Sequence, residues 1–120
     1  MTFKLQYGYM EYKVEIYQTD SGKRPFSQWL KDLKDNLTRA KIRLRLDRLE
    51  RGNFGQCEPV GEGVFELKID FGPGFRVYFG KVGTRCVLLL CAGDKSSQKS
   101  DIQKAKAYFK DYQSRGDSHE

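Results

Sequence analysis

The spacing of apolar positions changes several times along the chain, and each change marks an element. Tyr12, Val14 and Ile16 alternate with Lys13 and Glu15, which predicts a first strand with those three on one face. Thr19-Asp20-Ser21-Gly22 is loop chemistry. Pro25 suits a first helical turn, where its missing N–H costs nothing. Phe26, Trp29, Leu30 and Leu33 then fall at i, i+3, i+4 and i+7 of a helix. Asp35 or Asn36 can cap a second helix that runs to about Arg51, with Gly52 as its left-handed stop. Ile42, Leu46 and Leu49 form that helix's main buried face. Leu37, Ala40 and Leu44 lie on another side, among Lys41, Arg48 and Arg51. Two helices joined so closely are expected to form an antiparallel hairpin, with the second apolar side packed on the first helix. The alternative is that part of it meets a partner protein.

Residues 53–62, with Gly55, Pro59 and Gly61, read as a loop. Beyond them the alternation fixes a register. Phe65, Leu67, Ile69 and Phe71 are apolar and odd-numbered, as are Phe75, Val77 and Phe79 after the Gly72-Pro73-Gly74 turn. Both sets can share one face only if odd residues pair with odd residues, because a one-residue slip would send a whole set into water. Glu66, Lys68 and Asp70 then lie beside Arg76 and Tyr78 on the opposite face. The run Val87–Ala92 is apolar on both sides, so it belongs inside the sheet. Ser100 and Gln103 match a capping box for a last helix with Ile102, Ala105, Phe109 and Tyr112 on its apolar face. Residues 1–10 have no strong period and read as a frayed or appended extension, within which Met10 is an alternative start. The domain is expected over 11–113, with 114–120 as a flexible tail. The order β-α-α-β-β-β-α makes a compact single α+β domain: a mainly antiparallel sheet flanked by helices.

Composition changes this picture in one place. The net charge is +6, and residues 37–51 alone hold six basic side chains against two acidic ones. The excess therefore sits on the second helix, which is either a solvated face or a surface for nucleic acid or an acidic protein. Three cysteines without a C-x-x-C pair and one histidine, His119 near the C-terminus, argue against a metal site. The longest apolar run of six residues is far short of the roughly 20 needed to span a bilayer, and no secretory pattern opens the chain. A cytoplasmic protein with no membrane partner is expected.

The chemistry worth testing lies on the even face of the sheet, where Glu66, Lys68 and Arg76 gather with Lys95 just past the apolar strand. An ordinary solvated sheet face would contain similar residues. Cleavage of RNA needs the 2′-hydroxyl deprotonated, the negative phosphorane stabilised and the leaving oxygen protonated. Arginine suits the second task and stays protonated; a lysine suits the others if its pKa is lowered. With a single histidine near the terminus, a two-histidine scheme is excluded. No phosphate-cradling loop occurs either.

The segments Gly63–Ile69, Gly72–Phe79 and Leu89–Gln98, with Pro25-Phe26…Trp29-Leu30 and Leu49–Gly55, resemble the RelE/ParE superfamily of toxins. More narrowly, they resemble its HigB-like addiction-module group. The likeness covers roughly Glu11 to Phe109. It implies a RelE-like fold, no metal or organic cofactor, and an endoribonuclease that cuts mRNA on the ribosome. It also implies a cognate helix-turn-helix antitoxin, with any oligomer forming through the antitoxin complex. Carried over by position, Lys68 is a general base or phosphate contact, Arg76 the transition-state stabiliser, and Lys95 a phosphate contact or proton donor. Glu66, Arg85, Arg43 and Arg45 are the candidate substrate-binding residues. Glu66 departs from RelE, which has a second lysine there, and no tyrosine or histidine closely follows Lys95. Two other readings remain: a ParE-like gyrase poison without nuclease chemistry, and a weakened toxin fold kept as an antitoxin-binding regulator.

Overall fold

Among the described residues, five strands and three helices form the domain. The computed structural model describes residues 11–117, so the expectation for 1–10 and its Met10 start lies outside the described residues. The strands are β1 (Lys13–Ile16), β2 (Cys57–Gly61), β3 (Val64–Ile69), β4 (Phe75–Val82) and β5 (Cys86–Asp94). The helices are α1 (Pro25–Asp32), α2 (Asn36–Glu50) and α3 (Gln98–Asp117). The sheet order is β1-β5-β4-β3-β2, with β1 parallel to β5 and every other pair antiparallel.

The odd-to-odd register holds: Phe65 pairs with Phe79, Leu67 with Val77 and Ile69 with Phe75, while Glu66 faces Tyr78 and Lys68 faces Arg76. The odd face packs under α1 and α2, joining Phe26, Ile42 and Leu49 to Leu67, Val77, Phe79 and Leu89. β5 is indeed interior, between β1 and β4. A register shift between Tyr78 and Phe79 lets it feed both layers, with Leu89 and Ala92 on one side and Leu88, Leu90 and Cys91 on the other.

The even face is not open. α3 lies across it, and Ala105 and Phe109 pack with Val64, Tyr78, Leu88 and Leu90 in a second core. Two glycines make room: a Cβ on Gly80 would stand 2.6 Å from Phe109 Cζ, and one on Gly93 2.7 Å from Ser97 Oγ and closer still to Asp101 Oδ2. The helix begins at Gln98 rather than Ser100, after a 3₁₀ turn Lys95–Ser97. Its approach is capped by Asp94, whose Oδ1 accepts from Ser96 N at 2.8 Å, so the capping box is not used. It also runs through Asp117, beyond the expected start of a flexible tail at residue 114, and Arg115 donates to the Gln18 carbonyl and to Asp111.

Three further expectations are corrected. Residues 57–61 are a strand, not loop: β2 pairs with β3 at the sheet edge, where Pro59's missing N–H is tolerated, and its bulge lies between Pro59 and Gly61. The second apolar side of α2 is not packed on α1: both helices add side chains to the core under the odd face, through Phe26 and Leu30 of α1 and Ile42, Leu46 and Leu49 of α2. Leu37 and Leu44 consequently stay 57% and 49% exposed. In and beside β1, Tyr12 and Val14 pack inward as expected but Ile16 is exposed, and Tyr17 just after the strand is buried against α3 instead. Both helix ends of α2 match expectation, with Asp35 accepting from Leu37 N and Gly52 at φ 89°. Among the described residues, no helix is long and apolar enough to cross a membrane.

Tyr17 ties β1 to α3 by donating its hydroxyl to Asp111 Oδ2 at 2.5 Å. Burial, reinforced by that bond, pushes the phenol from 10.0 up to about 12. A raised folded pKa means the contribution is complete below the unfolded value near 10 and is lost as pH rises through about 12. The melting temperature is therefore expected to fall across that window, and Tyr17→Phe to flatten the fall. Melts collected against pH check this; an unchanged slope in Tyr17→Phe refutes it.

Candidate functional site

Two of the sequence-derived residues are brought side by side at one end of the sheet. Lys68, near the end of β3, is the cross-strand partner of Arg76, near the start of β4. Arg76 in turn faces Gly93 on β5, and Lys95 follows two residues later, exposed on the 3₁₀ turn. This end is where α3 begins. The helix covers Glu66 and Tyr78 yet leaves Lys68 partly exposed.

Arg76 is held from two sides. Its Nη1 donates to the Gly74 carbonyl at 3.1 Å, and its Nε lies 3.7 Å from Glu66 Oε2. Asp94 lies close enough for Arg76 to help hold its carboxyl below the usual range, after the larger effect of its hydrogen bonds from Ser96 and Ser97. The Nε atom is buried and makes no hydrogen bond. The cause is competition, because Glu66 Oε2 already accepts from Tyr78 Oη at 3.1 Å and from Gln98 Nε2 at 2.7 Å. Burial, then the adjacent Glu66 carboxylate, pushes the Tyr78 hydroxyl well above the phenol range, so it serves as a fixed donor. Only 13% of the Arg76 side chain is exposed. The result is a largely buried positive group at the mouth of a polar network.

Glu66 therefore has a different job from the one its sequence position suggested. It is 3% exposed and occupied by protein donors, so it orients Arg76 rather than touching a ligand. Tyr78 and Gln98 complete that support. Parity placed Tyr78 on the correct face, but nothing local in the sequence announces Gln98, which arrives from a helix 32 residues away. Lys68 pairs with Glu58 of β2 at 3.3 Å, a partner hidden while that strand read as loop.

The remaining candidates are dispersed. Arg45 donates to the carbonyls of Asn53 and Phe54, bracing the loop after α2; burial and then Arg48 lower its pKa. Arg43 points to the α1 side of α2, where it lines a hollow with Phe26 and Leu30. Arg85 sits in the turn between β4 and β5, at the opposite end of the sheet. Six residues of strand at 3.3 Å each put it roughly 20 Å from Arg76. Cys91 is buried, which pushes its thiol up to about 12 and leaves it an inert packing group. Among the described residues, no cluster of His, Cys, Asp and Glu could hold a metal ion.

A cleft of about 340 Å³ adjoins Lys68. It separates α2 from the end of β3 and is lined by Lys41, Arg48, Gln56, Asp70 and Phe71 among others.

These features define a small α+β protein with a fixed arginine and a lysine at one sheet end and a basic helix beside them. The chain belongs to the family of phage-derived Gp49-like proteins (DUF891), which matches residues 28–110 and so spans the whole sheet end. A protein of Haemophilus influenzae strain Rd, described as uncharacterized, is 49% identical over 81 residues, covering 68% of this chain and 82% of that relative. Membership of the Gp49-like family is consistent with a toxin-like protein.

Proposed function

We propose that this protein is the toxin of a type II toxin–antitoxin system of the RelE/HigB kind, and that it cleaves mRNA on the ribosome. The observation that carries this reading is the Lys68–Arg76 cross-strand pair with Arg76 locked by Glu66. A guanidinium held in place before the reaction stabilises a phosphorane without reorganising, which is the largest single term in such catalysis. In the reaction the 2′-oxygen passes its proton to Lys68 or to water and attacks phosphorus, and the bond to the 5′-oxygen breaks as that oxygen takes up a proton from Lys95 or from water. Arg76 supports the charge on the phosphorane. Lys68 and Lys95 are the flanking contacts to the phosphate. The substrate and the ribosome place this activity in the cytoplasm.

The antitoxin is the second part of the proposal. Leu37 and Leu44 stand exposed on a helix otherwise rich in arginine and lysine, which suits an acidic segment with apolar anchors. A cognate helix-turn-helix antitoxin would present such a segment.

Inducing the protein without its neighbouring gene and mapping RNA 5′ ends tests the reading. Cuts recurring with codon periodicity on translated messages are expected. Intact RNA with accumulating gyrase–DNA breaks would replace it with the ParE-like alternative, and neither effect would leave the regulatory one.

A further inference from the structure

The cleft between α2 and the end of β3 is distinct from the Arg76 network but shares Lys68 with it. Its walls are unevenly charged. Lys41 and Arg48 stand exposed on the α2 side, Lys68 on the strand side, and Asp70 is the acid lining it. Arg45 also lines it, with its guanidinium committed to the Asn53 and Phe54 carbonyls, so it shapes the wall rather than offering free donors. Phe71 is half-buried, and the Lys41 ammonium lies over its ring 5.5 Å from the centroid, so the ring face is reachable from the cleft. Gln56 adds an amide that can both donate and accept.

We propose that this cleft is a nucleotide subsite for single-stranded RNA. It takes the nucleotide next to the phosphate held at Lys68 and Arg76. The base lies against Phe71 in place of the Lys41 ammonium, and Lys41 and Arg48 turn to the adjoining phosphate. The inference rests on the RNA-cleavage reading and extends it along the strand. Three points favour RNA over a protein segment here. The volume of about 340 Å³ is near the lower end of ligand pockets and fits one nucleotide better than a helix. An aromatic face beside cations and an amide is the usual platform for an unpaired base. The Lys68–Glu58 pair is partly exposed, Glu58 at 63% and Lys68 at 38%, and such pairs exchange readily for a phosphate.

The test is titration of the full chain with a short, fluorescent, single-stranded RNA oligomer carrying 2′-O-methyl groups, so that no cleavage intrudes. Binding is followed by anisotropy across a salt series. Lys41→Ala/Arg48→Ala changes exposed positions only and is expected to weaken binding about tenfold or more. It should also reduce the slope of log affinity against log salt by about 0.7, for the one adjoining phosphate that the two side chains neutralise. Phe71→Leu is expected to weaken binding about tenfold with the slope unchanged, because stacking releases no counterions. A double variant with the wild-type slope overturns the subsite. So does a wild-type chain that ignores the RNA but binds an acidic peptide through Lys41 and Arg48, which would assign the cleft to a protein partner. Mapping RNA 5′ ends on translated messages after induction of the wild-type chain and of Arg76→Ala separates the two claims. Lost RNA cutting in Arg76→Ala with an unchanged slope in the double variant sinks only the subsite. A reduced slope with no RNA cut by the wild-type chain supports the subsite and sinks only the nuclease.

Discussion

Arg76→Ala is expected to abolish growth arrest on induction while leaving a chain that accumulates and melts cooperatively. The two halves of this expectation have separate grounds. The guanidinium is largely buried, with Nη1 donating to the Gly74 carbonyl and Nε 3.7 Å from the Glu66 carboxylate, a placement that the more exposed Lys68 and Lys95 do not share. Losing one preorganised donor to a developing negative charge lowers a rate by about 10²–10³. For a toxin whose effect depends on turnover, that is enough to restore growth. The fold loses less. Glu66 keeps its bonds from Tyr78 and Gln98, so the carboxylate is left with one partner fewer rather than none, at a cost of about 1–3 kcal/mol. Arg76→Lys separates charge from geometry. It keeps the cation but loses the planar fork, and should fall between the wild-type chain and alanine. Growth curves with matched protein levels and thermal melts decide the matter. If Arg76→Ala stays toxic at wild-type abundance, the sheet end has no part in the mechanism.

Glu66→Gln probes the support behind that arginine. Its amide can still accept from Tyr78, but it carries no charge to hold the guanidinium at 3.7 Å. Growth arrest is expected to weaken without disappearing, and the melting temperature to change little. A fully toxic Glu66→Gln would show that Arg76 is positioned without the Glu66 charge.

What was legible in the sequence follows from where side chains repeat. A period of two over Phe65–Phe71 and Phe75–Phe79 buries both sets only when odd residues pair with odd, which puts Lys68 and Arg76 on one face, whereas their standing directly opposite depends on how the turn between the strands closes. Pairing across distance has no such signature. Nothing near Glu66 says that Gln98 will reach it, or that a helix from the far end of the chain will cover Tyr78. A polar residue on an alternating strand reads as solvent-facing, and only the glycines at 80 and 93 hint that something must press close. β2 was hidden for the opposite reason. Its Pro59 and flanking glycines carry loop chemistry, and an edge strand tolerates them because one side needs no ladder bonds. The outer side of α2 was read as apolar and therefore covered. Leu37 and Leu44 show that an apolar position on a basic helix can be left for something outside the chain.

The covering helix carries the second large effect. Phe109 lies flat against Gly80, where a Cβ would stand 2.6 Å from its Cζ and 2.7 Å from its Cδ1, and against Gly63, where the gap to Cε2 would be 2.9 Å. Gly80 is in the middle of β4, with backbone on either side fixed by β3 and β5, so the strand cannot retreat. The ring must move instead, and with it the packing of Ala105, Val64 and Leu90. Gly80→Ala is therefore expected to destabilise by about 1–3 kcal/mol through overpacking, despite the higher strand propensity of alanine. Phe109→Leu, which removes the flat ring, should itself cost on the order of 1 kcal/mol or more as a large-to-small change. Together they should cost less than the sum, because the leucine leaves the space that the new methyl needs. A coupling of about 1 kcal/mol from a denaturant-melt double-mutant cycle is the expected result. Strict additivity would mean that α3 does not rest on the sheet through this ring. The support of Arg76 would then have to come from strands alone, because α3 also delivers Gln98 to Glu66.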